Sequence, residues 1–338
     1  MQKTRVAILG ATGFTASELI HLIARHPFAE ITALTTRNED RPHVADVHPS
    51  VRGLVDLYLE PLTDDELAER ADCVFGCLPH MASAQRVPGL LERGLKVIDL
   101  SADYRLDDAQ TFKTWYGETH LDPNRLGSTP YGLPELFRDQ LKGVNLIANP
   151  GCYPTSSILP LTPLLLNGYI KRDDIIIDSK SGTSGAGKSL KPGNMYCAVN
   201  ENFQAYGVGT HRHRPEIEQI IARKTGDLPN VIFTPHLVPM DRGIFTTTYS
   251  LPAKSATEAE LIGCIRDFYK GEKFVRVIDS LPNVKATAHT NFCDITVRVV
   301  RNRVVTLSCI DNLVKGASGA AVQNFNIMFG YEETTALI

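Results

Sequence analysis

The sequence predicts an α/β chain: a doubly wound parallel sheet over residues 1–150, then an α+β part over residues 151–312 built on a mainly antiparallel sheet. Residues 313–338 are expected to return to the first part as a helix. Three observations predict this. Short apolar runs alternate with helical patterns through the first part, as parallel strands joined by crossover helices do. Apolar or alternating runs separated by turns dominate residues 231–310. Between the two lies Asn149-Pro150-Gly151-Cys152-Tyr153-Pro154-Thr155, where Pro150 and Gly151 break an apolar strand, Val144 to Ala148, and a helical pattern resumes from Thr155 to Leu166. A chain of 338 residues suits roughly two domains, each able to bury its own core.

The first strand, Arg5 to Leu9, runs into Gly10-Ala11-Thr12-Gly13-Phe14-Thr15-Ala16 and then a helix, Ser17 to Arg25. Read as G-x-x-G-x-x-A, this turn lets a pyrophosphate approach the backbone, and small Ala16 lets helix and strand pack closely. A glycine pattern alone is weak; a strand before it and a helix after it identify a Rossmann-type, dinucleotide-binding domain. Gly10, Thr12, Gly13, Phe14 and Thr15 are therefore cofactor candidates. Ile31 to Leu34 forms the second strand, ending in Thr35, Thr36 and Arg37. An acid there would bind a ribose 2′-hydroxyl, whereas hydroxyls and an arginine suit a 2′-phosphate, so Thr36 and Arg37 predict NADP(H). Further strands follow at Asp72 to Leu78 and Lys96 to Leu100, with a helix from Ser83 to Glu92 between them. Arg105, just past the later strand, suits a phosphate clamp, the ordinary alternative being a pair with Asp103 or Asp107. Residues 107–133 read as an irregular loop region.

Charge and cysteines narrow the function classes. Net charge is −3 and the pI about 6.4, so no basic field points to nucleic acid or an anionic membrane. Seven cysteines without C-x-x-C pairs predict reduced thiols and a cytoplasmic setting, with Cys73 and Cys77 in the core. No zinc spacing, signal peptide or membrane-length apolar run is read, so no metal is expected.

Asp174 to Asp178 forms a strand, after which Gly182 to Ser189 matches the P-loop pattern G-x-x-x-x-G-K-[ST]. A P-loop must open into a helix, and Lys191-Pro192-Gly193-Asn194 forbids one, so the loop is assigned to another phosphate-bearing ligand such as the dinucleotide. In His211-Arg212-His213-Arg214-Pro215, Pro215 in the first turn marks a helix start, so His211 to His213 lie on the approach loop. Strands are expected at Val231 to Thr234, Gly243 to Leu251, Phe292 to Val300 and Arg303 to Ile310, with helices at Leu261 to Tyr269 and Ala320 to Phe329.

Cys152 stands where the amides of an incoming helix point outward, and such groups favour a thiolate and hold a developing oxyanion. A lone cysteine is more often structural; a dinucleotide turn and a His-Arg-His cluster in the same chain overturn that reading. A histidine can activate the thiol or protonate a leaving oxygen, and the flanking arginines attract an anionic substrate. The set fits reductive dephosphorylation of an acyl phosphate, because a thioester accepts hydride where a carboxylate does not.

Over nearly its full length the chain resembles the N-acetyl-γ-glutamyl-phosphate reductase family of arginine biosynthesis. The resemblance rests on Gly10-Ala11-Thr12-Gly13, Leu100-Ser101-Ala102-Asp103-Tyr104-Arg105, the Asn149–Thr155 stretch, Ser181 to Gly187 and His211 to Ile217. It implies an architecture like aspartate-semialdehyde and glyceraldehyde-phosphate dehydrogenases, with Cys152 as nucleophile and His211 as acid/base. It also implies that Ser181, Gly182, Ser184, Gly185 and Asn312 help hold NADP, and that the protein is a homodimer or homotetramer. Substrate contacts are expected from Arg105, Asn149, Arg212 and His213. Ser156 stands where the family usually has glycine or alanine, and it is small enough to pack there. The rival readings are aspartate-semialdehyde dehydrogenase, a lysine-pathway relative with a carrier-bound substrate and, from a different class, a redox-sensing NADP-binding protein without turnover.

Overall fold

The computed structural model describes residues 2–37 and 39–338. Two compact units partition the chain: one runs to Pro150 and takes back Ala317–Ile338, and the other is Gly151–Gly316.

In the first unit six strands pair wholly in parallel: β1 (Thr4–Leu9), β2 (Ala29–Thr35), β3 (Leu59–Glu60), β4 (Cys73–Gly76), β5 (Lys96–Asp99) and β6 (Leu146–Ala148). Their order is β3-β2-β1-β4-β5-β6, which reverses between β1 and β4. Ligands bind outside the carboxyl ends of strands at such a reversal. Helix Phe14–Ala24 leaves β1 through Gly10, whose φ is +69° and where a Cβ would lie 2.6 Å from the Cys77 carbonyl oxygen. Only glycine fits both constraints. Helix Ala82–Glu92 is capped from a distance, the two carboxylate oxygens of Asp103 accepting the Met81 and Ala84 amides at 2.8 Å.

Residues 107–133 are not wholly irregular, which corrects the sequence reading. They contain helix Ala109–Tyr116, begun by Asp108, which accepts the Gln110 and Thr111 amides at 2.9 Å, and ended by Gly117 at φ +77°. Of its side chains only Phe112 is buried, too thin a stripe to declare a helix by periodicity. The C-terminal helix, Gly319–Phe329, buries amides instead of aliphatics on part of its surface. Asn324 Nδ2 donates to the Gly132 carbonyl and to Asn149 Oδ1, each at 2.9 Å.

The second unit holds seven strands: β7 (Ile175–Ser181), β8 (Gln204–Ala205), β9 (Val231–Leu237), β10 (Ile244–Ser250), β11 (Val275–Val277), β12 (Cys293–Val300) and β13 (Arg303–Ile310). They run β11-β12-β13-β10-β7-β9-β8, with β7–β9 and β11–β12 parallel and the other neighbours antiparallel. Helix Cys152–Leu166 packs on β10 and β13 and is buried along almost its whole length. It starts three residues earlier than the apolar pattern predicts, because Cys152, Tyr153 and Pro154 form its first turn. The Ser156 hydroxyl meets Thr246 Oγ1 at 2.8 Å, so this serine is bonded to the sheet and is more than a small filler.

Replacing Asp103 by alanine strips two helix amides of a buried acceptor. Urea unfolding of the Asp103→Ala protein is expected to show a loss of about 2 kcal/mol. An unchanged midpoint would mean that this distant cap is energetically idle.

Candidate active site

Cys152 is the first residue of its helix, and Gly151 is the N-cap with no side-chain acceptor on the first-turn amides. The N-terminal dipole and those amides stabilise negative charge on the sulfur or on an oxygen bound beside it. The Gly151 amide itself donates to Glu216 Oε1 at 2.9 Å, and Glu216 is buried. On another side, a Cβ added to Gly316 would sit 2.8 Å from Cys152 Cβ, so the backbone of Val314–Ser318, a single π-type turn, lies against the cysteine. Such turns recur at functional sites because they re-aim the chain locally.

Aromatic rings surround the neighbouring histidines. His211 lies 5.6 Å from Tyr153, 5.5 Å from Tyr206, 5.2 Å from Phe233 and 4.9 Å from His213, ring centre to ring centre. The Tyr153 and Tyr206 hydroxyls share a hydrogen bond of 2.9 Å. Loss of solvent pushes the Tyr206 phenol up to about 12, with the nearby Cys152 charge acting in the same direction. Burial, and after it the charge of Arg212, lower His211 to about 4, so its imidazole is neutral at physiological pH. The helix downstream starts at His213, two residues before the Pro215 that marks its start in the sequence, so His211 and Arg212 remain on the approach while His213, expected there too, is helical. Arg212 is exposed, and Arg214 is turned to Glu218, its Nε 3.1 Å from Oε1.

Ser181 to Gly187 is a loop with a short 3-10 turn, Thr183–Ala186, and no helix opens from it as a P-loop requires. Asn312 pins it, donating from Nδ2 to Ser184 Oγ at 3.0 Å while Oδ1 accepts the Gly243 amide at 2.6 Å. Buried Asp311 beside it accepts the Leu313 and Val314 amides and pairs with Arg242 at 3.1 Å.

In the first unit a cavity of about 590 Å³ is lined by Gly10, Thr35, Thr36, Arg37, Leu62 and Arg86, among others. Helix Phe14–Ala24 has no side-chain cap at Gly13, leaving its amides for a phosphate. These features fit a dinucleotide carrying an extra phosphate. Arg105 and Asn149, expected at the substrate, make bonds within the first unit. Arg105 donates to the Asn149 and Leu100 carbonyls at 2.8 and 2.7 Å. Asn149 Nδ2 donates to the Ala317 carbonyl at 3.0 Å, and no part of the residue is exposed.

Sequence reasoning missed Glu216, Arg86, Gly316 and His48, whose Nε2 donates to the Ala11 carbonyl of the glycine turn at 2.7 Å. Only Glu216 left a signal, standing within the His211 to Ile217 motif; the others depend on tertiary proximity.

These two units correspond to known modules. Residues 5–144 match the family model of the semialdehyde dehydrogenase NAD-binding domain, and residues 152–312 match that of the semialdehyde dehydrogenase dimerisation domain. Aspartate semialdehyde dehydrogenase II of Vibrio cholerae, solved with ASA, shares the fold with a TM-score of 0.70 at 17% identity, over 97% of this chain and 98% of that one. The Candida albicans enzyme solved with NADP gives 0.70 at 17% identity, over 96% and 98%. The chain is thus of the semialdehyde dehydrogenase class, an NAD-binding domain joined to a dimerisation domain. Much nearer in sequence are N-acetyl-gamma-glutamyl-phosphate reductases of Rhodopirellula baltica, 48% identical over 99% of this chain and 98% of that protein, and of Citrifermentans bemidjiense, 51% identical over 98% and 97%. The chain belongs to the N-acetyl-gamma-glutamyl-phosphate reductase family. Among the described residues there is no cluster able to hold a metal and no helix long and apolar enough to cross a membrane.

Gly316→Ala is expected to lower kcat at least tenfold while leaving NADPH affinity unchanged, because the new methyl displaces Cys152. Steady-state kinetics with cofactor titration checks this. His211 also makes stability pH-dependent: its folded pKa lies below the unfolded value, so its contribution is complete above about pH 6.5 and is lost as pH falls toward 4. Between these limits the unfolding free energy of His211→Gln is expected to fall less steeply than that of the wild type, as urea titrations across that range will read.

Proposed function

We propose that the protein catalyses NADPH-dependent reductive dephosphorylation of N-acetyl-L-glutamyl 5-phosphate, giving N-acetyl-L-glutamate 5-semialdehyde and phosphate through a thioester on Cys152. The observation that carries this reading is a cysteine at the first residue of an uncapped helix, in a chain about half identical to reductases of that name. The sulfur attacks the acyl carbon, and the bond to phosphate breaks with its electron pair on the departing oxygen. The dihydronicotinamide of NADPH, when bound, supplies a hydride to the thioester carbon. Helix amides at Cys152 stabilise the oxygen charge that develops at each stage, and collapse returns the thiolate and frees the aldehyde.

Thr36 and Arg37 at the end of β2, with no acid there, support NADP over NAD, and Arg86 adds a second guanidinium to the same cavity. Ser181, Gly182, Ser184, Gly185 and Asn312 are assigned to the cofactor in the second unit. Arg212 and His213 are assigned to the substrate, together with Arg105 and Asn149 as residues that shape the strand ends beside it. A homodimer or homotetramer is supported by the dimerisation-domain match and by exposed Leu190, Met195, Tyr196, Phe203 and Val208 within one segment. Seven free thiols fit a reducing cytoplasm.

Phosphate-dependent NADP reduction, offered N-acetylglutamate semialdehyde and aspartate semialdehyde separately, is expected to proceed with the acetylated substrate alone. Turnover of aspartate semialdehyde would replace the substrate while keeping the chemistry. Cys152→Ala should abolish activity and retain NADP affinity; substantial residual turnover would sink the thioester route. Tyr196→Asp with Phe203→Glu is expected to lower the sedimentation coefficient by disrupting self-association.

A further inference from the structure

His48 joins two short helical turns in the crossover from β2 to β3. Its amide donates to the Val44 carbonyl at 2.8 Å, closing helix Val44–Val47, and its carbonyl accepts the Val51 amide at 3.0 Å, opening the 3-10 turn Pro49–Val51. Pro49 keeps His48 out of the helical region, with ψ at 85°. The segment is tied down at both ends. The Val44 amide donates to the Leu57 carbonyl at 2.9 Å, and His21 Nε2, on helix Phe14–Ala24, meets Ser50 Oγ at 3.0 Å. The backbone thus places the imidazole, which is buried and brings Nε2 to 2.7 Å from the Ala11 carbonyl oxygen. A carbonyl can only accept, so Nε2 carries the proton.

A buried histidine bonded to a carbonyl is ordinary; the identity of this carbonyl is not. Ala11 lies inside the glycine turn and is held on both sides. Its amide donates to the Thr35 carbonyl at the end of β2 at 2.9 Å, and among the described residues its carbonyl is bonded by His48 alone. The peptide joining Ala11 to Thr12 is trans, so its C=O and N–H point in opposite directions within one plane. Aiming the carbonyl at His48 therefore aims the Thr12 N–H the other way, and that amide has no acceptor among the described residues. Turning the peptide over would leave a buried carbonyl and an imidazole N–H unpaired. Between Gly10 and Gly13 little else in the backbone resists such a flip.

We infer that His48 is a positioning residue for the cofactor: through the Ala11 carbonyl it keeps the Thr12 amide turned toward the pyrophosphate of NADPH. The inference rests on the assignment of the glycine turn to the dinucleotide and adds a residue that lies outside that turn. His48 does not touch the cofactor. It sets a backbone donor in place before the phosphates arrive, so no binding energy goes into turning the peptide.

Three variants of the full-length protein test this. His48→Gln carries an N–H to near the Nε2 position, His48→Asn falls a methylene short of it, and His48→Leu has no donor. Fluorescence titration with NADPH is expected to give a Kd within about threefold of wild type for glutamine and at least about tenfold weaker for asparagine and leucine. Adenosine 2′-phosphate, which carries the second phosphate but no pyrophosphate, is expected to bind all four proteins alike. In steady-state kinetics the KM for NADPH should rise with Kd, while kcat at saturating NADPH stays within about threefold. If the leucine variant fails to fold, asparagine carries the comparison. Equal weakening of both ligands, glutamine no better than leucine or asparagine, or NADPH affinity unchanged in the variants without a placed donor overturns the inference. The turn itself is read separately in wild-type protein labelled with 15N-threonine, where the Thr12 amide signal is expected to move with NADPH and not with adenosine 2′-phosphate. A Thr12 signal unmoved by NADPH defeats the assignment of the turn to the pyrophosphate. A signal that moves, alongside tight NADPH binding by the asparagine and leucine variants, defeats only the part given to His48.

Discussion

The hydrogen bond from the Gly151 amide to buried Glu216 is the constraint on which the arrangement around Cys152 in the second unit depends. A helix must begin at Cys152 with its amides free, and something has to hold the residue before it without covering those amides. A carboxylate reaching in from a different helix does this and leaves the first turn open. The same helix starts beside His211, whose Nδ1 accepts the amide of its first residue, so one element meets both the residue before the cysteine and the imidazole. A charge-assisted bond to a buried carboxylate is stronger than a neutral one, and losing one partner leaves the other uncompensated.

Much of this was legible in sequence because the governing signals are local. A parallel sheet announces itself by apolar runs, and β1, β4 and β5 fall on the runs that predicted them. Pro150-Gly151 marked the break before Cys152, and Pro192 marked the impossibility of a P-loop helix. Helix Ala109–Tyr116 was missed because its evidence is a cap, Asp108, and a left-handed terminator, Gly117, around a segment that buries only Phe112. Long-range proximity was not legible at all. No spacing rule brings Gly316 to Cys152, Arg86 to Arg37, or Asp103 to the Met81 and Ala84 amides.

The motif Leu100 to Arg105 illustrates how chemistry-bearing residues can be spent on architecture. Ser101 Oγ donates to Asp99 Oδ2 at 2.7 Å, Asp103 caps a helix, Tyr104 donates to Asp122 at 2.9 Å, and Arg105 binds two carbonyls. Burial lifts Asp99 to about 6, against the stabilising donors Ser83 and Ser101. Each polar group in this segment has a partner, which is what burial demands. The result is a rigid floor at the carboxyl ends of β5 and β6, where a ligand-binding loop set needs one.

The closeness of Gly316 to the cysteine bears on how this thiol can be targeted by small molecules. With backbone pressed against Cβ on one flank and Tyr153 and Gly151 buried on either side in sequence, an electrophile has a narrow line of approach to sulfur. A flat, slender warhead such as an acyl or vinyl group can follow the path a carboxyl derivative takes, while a branched one meets main chain that has no rotamer to yield. Inhibitor selectivity at this thiol is therefore a matter of cross-section at the warhead before it is a matter of affinity further out.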